Sequence, residues 1–416
     1  MERSYESAAT LVGRAVGPLA AHLGAYVASL VSQQYAIDVV YIKARHALAF
    51  DRWLGRRGVA LGDLQESHIS QYQCRSRRHR SRRDSTLRQE LRVLDQLLHF
   101  LRQQGTCVPV PTAAILPADE MASGFERHLR NERGLARATV SRYTKTARQF
   151  LIECFGEGRV QLGALQATDA VEFIQRQTQR MQPSAVKNVV TGLRAFLRYA
   201  QYYGEIDAEL IASVPTVATW STTPQLPKAI SAEHAQRALD SCDGHTAVGR
   251  RDRAVLLLLA RLGLRAVEIA RLQLHDIDWD GGCLRVRGKG GRDGLLPLPT
   301  DVGEAIAAYL ANGRPRSEDR HLFLRLNAPI RGIKEGSYGI GSIVRRALRR
   351  AHVEAPHWGT HQFRHALAVR LLRHGASLPE IGEVLRHRSP QSTSLYAKVD
   401  LETLRTLALA WPGEAP

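Results

Sequence analysis

Histidine, arginine and tyrosine side chains that could act on a phosphate ester lie close together near the end of the chain. His361 and Arg364 are three residues apart and would share one face of a helix. His387 follows a second apolar helical pattern, and Tyr396 comes nine residues after it. Guanidinium groups bind phosphate oxygens as a fork, and imidazoles donate hydrogen bonds or accept protons. The pattern is therefore suited to chemistry on a phosphate ester.

A tyrosine hydroxyl is a poor nucleophile at neutral pH. Its reference pKa near 10 lies about three units above pH 7, which corresponds to about 4 kcal/mol. A base or nearby cations must offset that cost. Taken alone, Tyr396 is better explained as a half-buried packing residue. Its spacing from the other groups is what favours a chemical role.

Two short helices are predicted to position these groups. The first begins near His361 and ends near Gly375, a typical stop signal, and the second begins near Pro379. A turn is expected before Tyr396. The positions predicted to face inward are Leu367, Leu371 and Leu372 in the first helix and Ile381, Val384 and Leu385 in the second.

These residues resemble the signature of the tyrosine recombinase (phage integrase) family. The signature is H-x-x-R, then L-x-H after two short helices, then Y nine residues further on. This sequence has His361-x-x-Arg364, Leu385-x-His387 and Tyr396 in that order. Because several independent motifs occur in family order, the resemblance is specific over roughly the last half of the chain.

Two more family elements lie upstream of this region. One contains Arg265 with Glu268 three residues later, and the other is a glycine-rich turn with Lys289 at its tip and Arg292 after it. Alone, the first pair is a routine helical ion pair and Lys289 is a solvated turn lysine. In the context of the resemblance, Glu268 is expected to hold Arg265 in place.

The resemblance implies a role for each matched position. The candidate catalytic residues are Arg265, Lys289, His361, Arg364, His387 and the nucleophile Tyr396. The two arginines would bind the non-bridging phosphate oxygens, which suit guanidinium forks. His387 would donate a further hydrogen bond, and His361 would accept the tyrosine proton or position the phosphate. Lys289 would protonate the departing 5′ oxygen.

The implied reaction leaves a 3′-phosphotyrosyl link and a free 5′ hydroxyl, and a partner strand then reseals the DNA. Because the covalent link stores the bond energy, no cofactor, ATP or metal is expected. The implied partners are double-stranded DNA and three further copies of this chain, which together form a tetramer on paired DNA sites. Accessory recombinases or DNA-bending proteins are further candidate partners, and no membrane is expected. Leu401, Leu404 and Leu407 resemble a C-terminal helix exchanged between protomers; packing on its own domain is the alternative.

The expected fold is mainly α with a small antiparallel β-sheet in the catalytic domain. An N-terminal helical module is predicted for residues 1–107, a core-binding, SAM-like helical domain for 119–212, and the tyrosine recombinase catalytic domain for 227–416. Residues 61–65 (LGDLQ) and 162–166 (LGALQ) mark the same turn in an apparent repeat, so the first module is interpreted as a duplicate of the second. Two ordinary helical bundles that align by chance are the alternative.

Composition points to a polyanionic partner, because the net charge is +18 and the pI is about 10.2. A basic run, together with Arg292, is predicted to contact the DNA backbone; a solvated loop is the alternative for the run. The arginines of the run are Arg75, Arg77, Arg78, Arg80, Arg82 and Arg83. Five scattered cysteines without C-x-x-C spacing argue against a disulfide framework or zinc site and fit a reducing cytosol. The resemblance implies a bacterial cytoplasmic protein associated with the nucleoid.

Some features argue against or qualify these interpretations. His361 and His365 have the spacing of a zinc protease, but Gln362 replaces the required glutamate, so no metal is predicted. Arg386 stands where the family usually has glycine, and Thr360 replaces a common proline. Phage-type integrase, Xer-like resolvase and transposon recombinase all remain open. The rivals are a type IB topoisomerase and a non-catalytic DNA-binding protein of the same fold.

Overall fold

The computed structural model describes residues 4–79, 84–107, 116–216, 229–288, 293–333, 339–355, 358–387 and 389–396. Lys289, Arg292 and the predicted C-terminal helix lie outside these residues, as do Arg80, Arg82 and Arg83. Arg75, Arg77 and Arg78 lie on a helix whose backbone alone is described at those positions.

The described fold is mainly α-helical with a small antiparallel sheet, which confirms the predicted fold class. The chain divides into two compact units. The first comprises Met1–Leu61, Ile69–Phe100 and Pro224–Pro416, and the second comprises Gly62–His68 and Leu101–Thr223. The finer division into three domains stays a prediction. None of the described helices is long and apolar enough to cross a lipid bilayer.

The first hundred residues form helices that bury aromatic and aliphatic side chains. Phe50 and Trp53, one turn apart, stack with ring centroids 5.8 Å apart, and Tyr72 packs edge-on against both rings. These helices are α1 (Tyr5–Val12), α2 (Ala20–Ser32), α3 (Ile37–Arg57), α4 (Glu66–His79) and α5 (Asp84–Gln103).

The second hundred residues repeat part of this order, namely two helices, a 3₁₀ turn and two helices. A 3₁₀ turn at Leu61–Asp63 follows α3 and precedes two helices, and a 3₁₀ turn at Leu162–Ala164 occupies the same place in the second set. The second set surrounds a phenylalanine-rich core, in which Phe125 packs on Phe196 and Phe150 on Phe173. Its helices are α6 (Pro117–Asn131), α7 (Arg137–Phe155), α8 (Ala167–Arg180), α9 (Pro183–Tyr202) and α10 (Ala208–Ser213).

Residues from Ser231 onward build the part of the fold that carries the candidate site. The apolar run 254–260 is buried within one helix, which packs against five other helices of this region. The helices are α11 (Ala232–Asp240), α12 (Ala247–Leu262), α13 (Ala266–Arg271), α14 (Thr300–Asn312), α15 (Ile340–Arg350), α16 (His361–Arg373), α17 (Leu378–Val384) and α18 (Pro390–Ser394).

The sheet of this region is small and antiparallel. Its described strands, in spatial order, are β1 (Ile277–Asp278), β2 (Cys283–Arg287) and β3 (Asp293–Pro297). Leu284 and Val286 of β2 are buried while Arg285 and Arg287 are exposed, so β2 has the alternation of a half-buried strand. Residues 289–292, between β2 and β3, lie outside the described part of the chain.

The two predicted helices near the end of the chain are present as α16 and α17. Gly375, with φ of 84°, follows α16 in the left-handed conformation that glycine adopts without strain. Ile381 and Leu385 are buried, but the inward orientation predicted for Val384 is wrong, because that side chain is 43% exposed. Ile381 and Leu385 are one turn apart and set the inward face, and Val384 lies at its edge.

Candidate active site

Arg364 is the most deeply buried cation of the site. Only 4% of this residue is exposed, and its guanidinium donates to the backbone carbonyls of Gly263 and Leu385. It therefore ties the end of α12 to the end of α17. Burial, reinforced by the charge of Arg265, lowers the pKa of Arg364 to about 10, so the side chain is a cation at neutral pH.

The glycine that ends α12 allows this close approach. Gly263 has φ of 58°, and a Cβ at this position would lie 2.7 Å from Cδ2 of Leu385. A larger residue would meet both backbone strain and a clash there. The sharp turn at Gly263 brings Arg265, two residues later, to the start of α13.

Arg265 and Glu268 are held together by two hydrogen bonds. The backbone N–H and Nη1 of Arg265 each lie 2.8 Å from a different carboxylate oxygen of Glu268. The carboxylate is almost fully buried, whereas 30% of the Arg265 side chain is exposed. The guanidinium of Arg265 is thus oriented by a fixed anion while part of it remains open to a ligand.

Arg386 is a second cation on the same carboxylate, and sequence reasoning gave it no defined contact. Its Nη2 lies 2.8 Å from Oε2 of Glu268, and its carbonyl oxygen accepts a hydrogen bond from Nη2 of Arg265. Arg386 has φ of 54°, a left-handed conformation that costs a non-glycine residue about 1–2 kcal/mol. This conformation explains why glycine suits position 386, and the ion pair of Arg386 with Glu268 offsets the backbone strain.

We expect the Glu268→Gln variant to show how much this anion contributes. Burial raises the pKa of Glu268, but the backbone N–H of Arg265 and the charges of Arg386 and Arg265 outweigh it, so the net pKa falls below 4.5. The wild-type stabilisation is therefore complete above pH 4.5 and is lost as the pH falls through the lower folded-state pKa. Thermal unfolding at pH 7 should show a loss of about 1.5–3 kcal/mol in the variant.

The gap in stability between wild type and Glu268→Gln should narrow on acidification below pH 4.5. Glu304→Gln, which changes an exposed carboxylate on α14, is the matched control and should leave stability nearly unchanged. If the difference in stability between wild type and Glu268→Gln stayed constant between pH 7 and pH 3, it would contradict the assignment of a depressed pKa to this carboxylate.

His387 is fixed by a buried threonine. Its Nδ1 lies 2.7 Å from Oγ1 of Thr393, which leaves Nε2 as the nitrogen able to meet a ligand. Burial, reinforced by the charges of Arg364 and Arg265, lowers the pKa of His387 to about 4. The ring is therefore neutral at pH 7, and it can still donate through one N–H.

The Tyr396 hydroxyl lies among histidines. Only 1% of Tyr396 is exposed, and its Oη is 2.8 Å from Nδ1 of His365, while the ring of His387 stacks at a centroid distance of 6.4 Å. Burial raises the pKa of Tyr396, although the charge of Arg364 opposes that shift. Burial and the charges of Arg364 and Arg265 lower the pKa of His361, whose ring lies 6.3 Å from that of His365.

The structure brings together most of the sequence-predicted site. The described candidates gathered there are Arg265, Glu268, His361, Arg364, His387 and Tyr396, while Lys289 and Arg292 lie outside the described residues. The contacts of His365, Arg386 and Thr393 were missed. His365 had a usable signal, because it follows His361 by one helical turn; Thr393 had none beyond its place between His387 and Tyr396.

Comparison with known proteins gives the same picture at the level of sequence. Residues 228–402 match the model of the phage integrase family. The chain is 46% identical over 402 residues to "Putative integrase/recombinase y4rA" of Sinorhizobium fredii (strain NBRC 101917 / NGR234), covering 96% of each protein. It is also 30% identical over 279 residues to tyrosine recombinase XerD of Ralstonia nicotianae (strain ATCC BAA-1114 / GMI1000), covering 66% of this chain and 88% of XerD.

Solved structures show the same fold at low sequence identity. The XerH site-specific recombinase, bound to its palindromic difH substrate, aligns with a TM-score of 0.53 and 19% identity over 69% of this chain and 83% of XerH. The Tn1549 transposon integrase aligns with a TM-score of 0.50 and 18% identity over 70% of this chain and 99% of that chain. Because the match to y4rA covers 96% of the chain at 46% identity, the chain belongs to the phage integrase family of tyrosine recombinases.

Proposed function

We propose that this protein is a site-specific DNA recombinase that cuts and rejoins strands through a 3′-phosphotyrosyl intermediate. The observation that carries the proposal is the burial of the Tyr396 hydroxyl beside His365 and His387, with Arg364 held close by. A tyrosine oxygen next to imidazoles and a guanidinium has what attack on a phosphodiester requires.

In the cleavage step, a histidine of the site takes the proton of the Tyr396 hydroxyl, and Oη bonds to phosphorus as the bond to the 5′ oxygen breaks. Arg265 and Arg364 neutralise charge on the non-bridging oxygens, and neutral His387 donates through Nε2. The 5′ oxygen takes a proton from a general acid, for which the family resemblance nominates Lys289. The reverse step, with a 5′ hydroxyl from a partner strand, reseals the DNA and releases the tyrosine. None of these reaction steps uses a metal ion or ATP.

The proposed substrate is double-stranded DNA at paired sites, bound by a homotetramer. DNA binding is supported by the shared fold, because XerH is bound to its difH substrate and the Tn1549 transposon integrase is in complex with DNA. It is also supported by the net charge of +18, which favours binding to the phosphate backbone. Integration, excision or transposition of a mobile element is the proposed setting, in the bacterial cytoplasm. Residues 1–107 and 119–212 would be two helical DNA-clamping modules before the catalytic domain at 227–416, which agrees with their repeated order of elements.

Removing the positive charge of the arginines in 75–83 should weaken DNA binding and flatten its salt dependence. Each lost phosphate contact should reduce the log–log salt slope by about 0.9, because fewer counterions are released. Binding isotherms on one duplex across a salt series measure the slope for an Arg→Gln variant of the run. An Arg→Lys variant at the same positions keeps the charge and should keep the slope; an unchanged slope in the Gln variant would place the run away from the phosphates.

Strand transfer distinguishes the proposed function from its rivals. Nicked suicide duplexes, tiled across the DNA that flanks the gene, trap the covalent complex because the short 5′ fragment diffuses away. A labelled strand with a free 5′ hydroxyl is then added as a new partner, in EDTA and without ATP. A recombinase joins the label to the cut strand. Relaxation of supercoiled DNA without transfer would favour a type IB topoisomerase, and binding without any adduct would favour a non-catalytic DNA-binding protein.

A further inference from the structure

Tyr396 has a hydrogen-bond partner that the matched signature residues do not include. Nδ1 of His365 lies 2.8 Å from the tyrosine Oη, and the two rings are tilted with centroids 5.7 Å apart. Within the described part of the chain, no other side chain makes a hydrogen bond to this hydroxyl. His365 is on α16, directly after Arg364, so the helix that supplies the phosphate-binding arginine also supplies the contact to the nucleophile.

The direction of this hydrogen bond follows from the two groups. A neutral phenol is the donor, so Nδ1 of His365 accepts and the ring proton lies on Nε2. Among the described residues, the titratable groups that face His365 are Tyr396 from just after α18, His361 and Arg364 from its own helix, and His387 from the turn after α17. Burial, then His361 and Arg364, lowers the pKa of His365, which keeps the accepting form populated at pH 7.

We propose that His365 is a catalytic residue that accepts the phenolic proton when Tyr396 attacks phosphorus. The proposal rests on the proposed function and assigns a step within it. As the oxygen–phosphorus bond forms, the proton of Oη passes to Nδ1 of His365, and the bond from phosphorus to the 5′ oxygen breaks. The 5′ oxygen takes its proton from the separate general acid. In rejoining, the protonated His365 returns its proton to the departing tyrosine oxygen, so protons balance over the cycle.

The position of His361 makes it the weaker candidate for this step. The family resemblance offered His361 as an acceptor of the tyrosine proton, but the hydrogen bond to Oη comes from His365, one turn further along α16. His361 is exposed and lies beside His365, with ring centroids 6.3 Å apart; desolvation, then the charges of Arg364 and Arg265, lowers its pKa. That setting suits a role on the phosphate, which leaves proton acceptance to His365.

The His365→Asn variant separates accepting a hydrogen bond from accepting a proton. An asparagine amide oxygen can replace Nδ1 as an acceptor, but it cannot take up a proton at neutral pH. Single-turnover cleavage on the nicked suicide duplexes should be roughly 10²- to 10⁴-fold slower in His365→Asn and His365→Ala. His361→Asn removes the neighbouring imidazole of the same helix and is the variant against which His365→Asn is compared.

A second substrate identifies which proton transfer is lost. In a duplex with sulfur in place of the bridging 5′ oxygen, the leaving thiolate needs no proton, so only a defect in the general acid is rescued. The His365 variants should stay slow on this substrate. Wild-type cleavage should also decline as the pH falls below 6.5 and through the lowered pKa of His365, and His365→Asn should lose that decline while His361→Asn keeps it.

The outcomes separate this proposal from the proposed function. Wild-type adduct with an unimpaired His365→Asn variant would overturn proton acceptance and leave the recombinase chemistry standing. Rescue of the His365 variants by the sulfur substrate would overturn it as well, because His365 would then serve the leaving group. Absence of any wild-type adduct on duplexes that the protein binds would overturn the phosphotyrosyl mechanism itself, and the role of His365 with it.

Discussion

Replacing Tyr396 with phenylalanine should abolish covalent attachment to DNA and leave DNA affinity nearly unchanged. Phenylalanine fills the same buried space, since only 1% of Tyr396 is exposed, but it has no oxygen to attack phosphorus. The lost hydrogen bond to His365 should cost about 1 kcal/mol of stability. Denaturing gels of suicide-duplex reactions measure the adduct, and gel-shift titration on the same duplex measures the affinity.

Tyr309→Phe is the matched control for this change. Tyr309 is also fully buried, and its hydroxyl accepts a hydrogen bond from the backbone N–H of Leu324, 3.1 Å away. It lies on α14, and among the described residues its hydroxyl bonds to Leu324 and to none of the candidate site residues, so this variant should form the adduct at the wild-type rate. Adduct formation that persists in Tyr396→Phe would show that another residue is the nucleophile.

Replacing Arg364 with alanine should damage both stability and cleavage. The guanidinium satisfies the carbonyls of Gly263 and Leu385 in a buried setting, and leaving each unpaired costs about 1–3 kcal/mol. Losing a donor to the developing charge on phosphate should slow cleavage by about 10²- to 10³-fold. Thermal unfolding and single-turnover cleavage measure the two effects separately.

Two further variants keep this prediction interpretable. Arg364→Lys retains the positive charge, but one ammonium cannot reproduce the planar fork that reaches both carbonyls, so it should recover part of the stability and little of the rate. Arg373→Ala removes an exposed arginine at the end of the same helix and should change neither quantity. A lysine variant with the wild-type cleavage rate would show that charge alone suffices at position 364.

The sequence predicts those parts of the fold and site that depend on local spacing. His361 and Arg364 share a helical turn, so helical periodicity alone places them together, and the alternation in β2 predicts its buried face. The stop at Gly375 follows from the conformational freedom of glycine. Val384 was misassigned because the pattern does not show which of two adjacent apolar positions faces the neighbouring helix.

The contacts that complete the site depend on residues far apart in the chain. His365 and Tyr396 are separated by 31 residues, and Arg386 and Glu268 by 118. No periodicity links such pairs, because they meet only when α13 and α16 pack on α12 and when α17 and α18 pack beside α16. Pairing of Arg386 with Glu268 also needs a left-handed backbone at an arginine, which local propensity disfavours. Tertiary packing therefore supplies the oriented Arg265 and the partner of the nucleophile.

The most direct test is to identify the residue that carries the DNA. Wild-type protein is trapped on a suicide duplex in EDTA without ATP, digested with nuclease and protease, and analysed by mass spectrometry. The predicted result is a single peptide that bears nucleotide phosphate on Tyr396, and no such peptide from Tyr396→Phe. Nucleotide phosphate on any other residue, or no adduct on a duplex that the protein binds, would contradict the phosphotyrosyl mechanism.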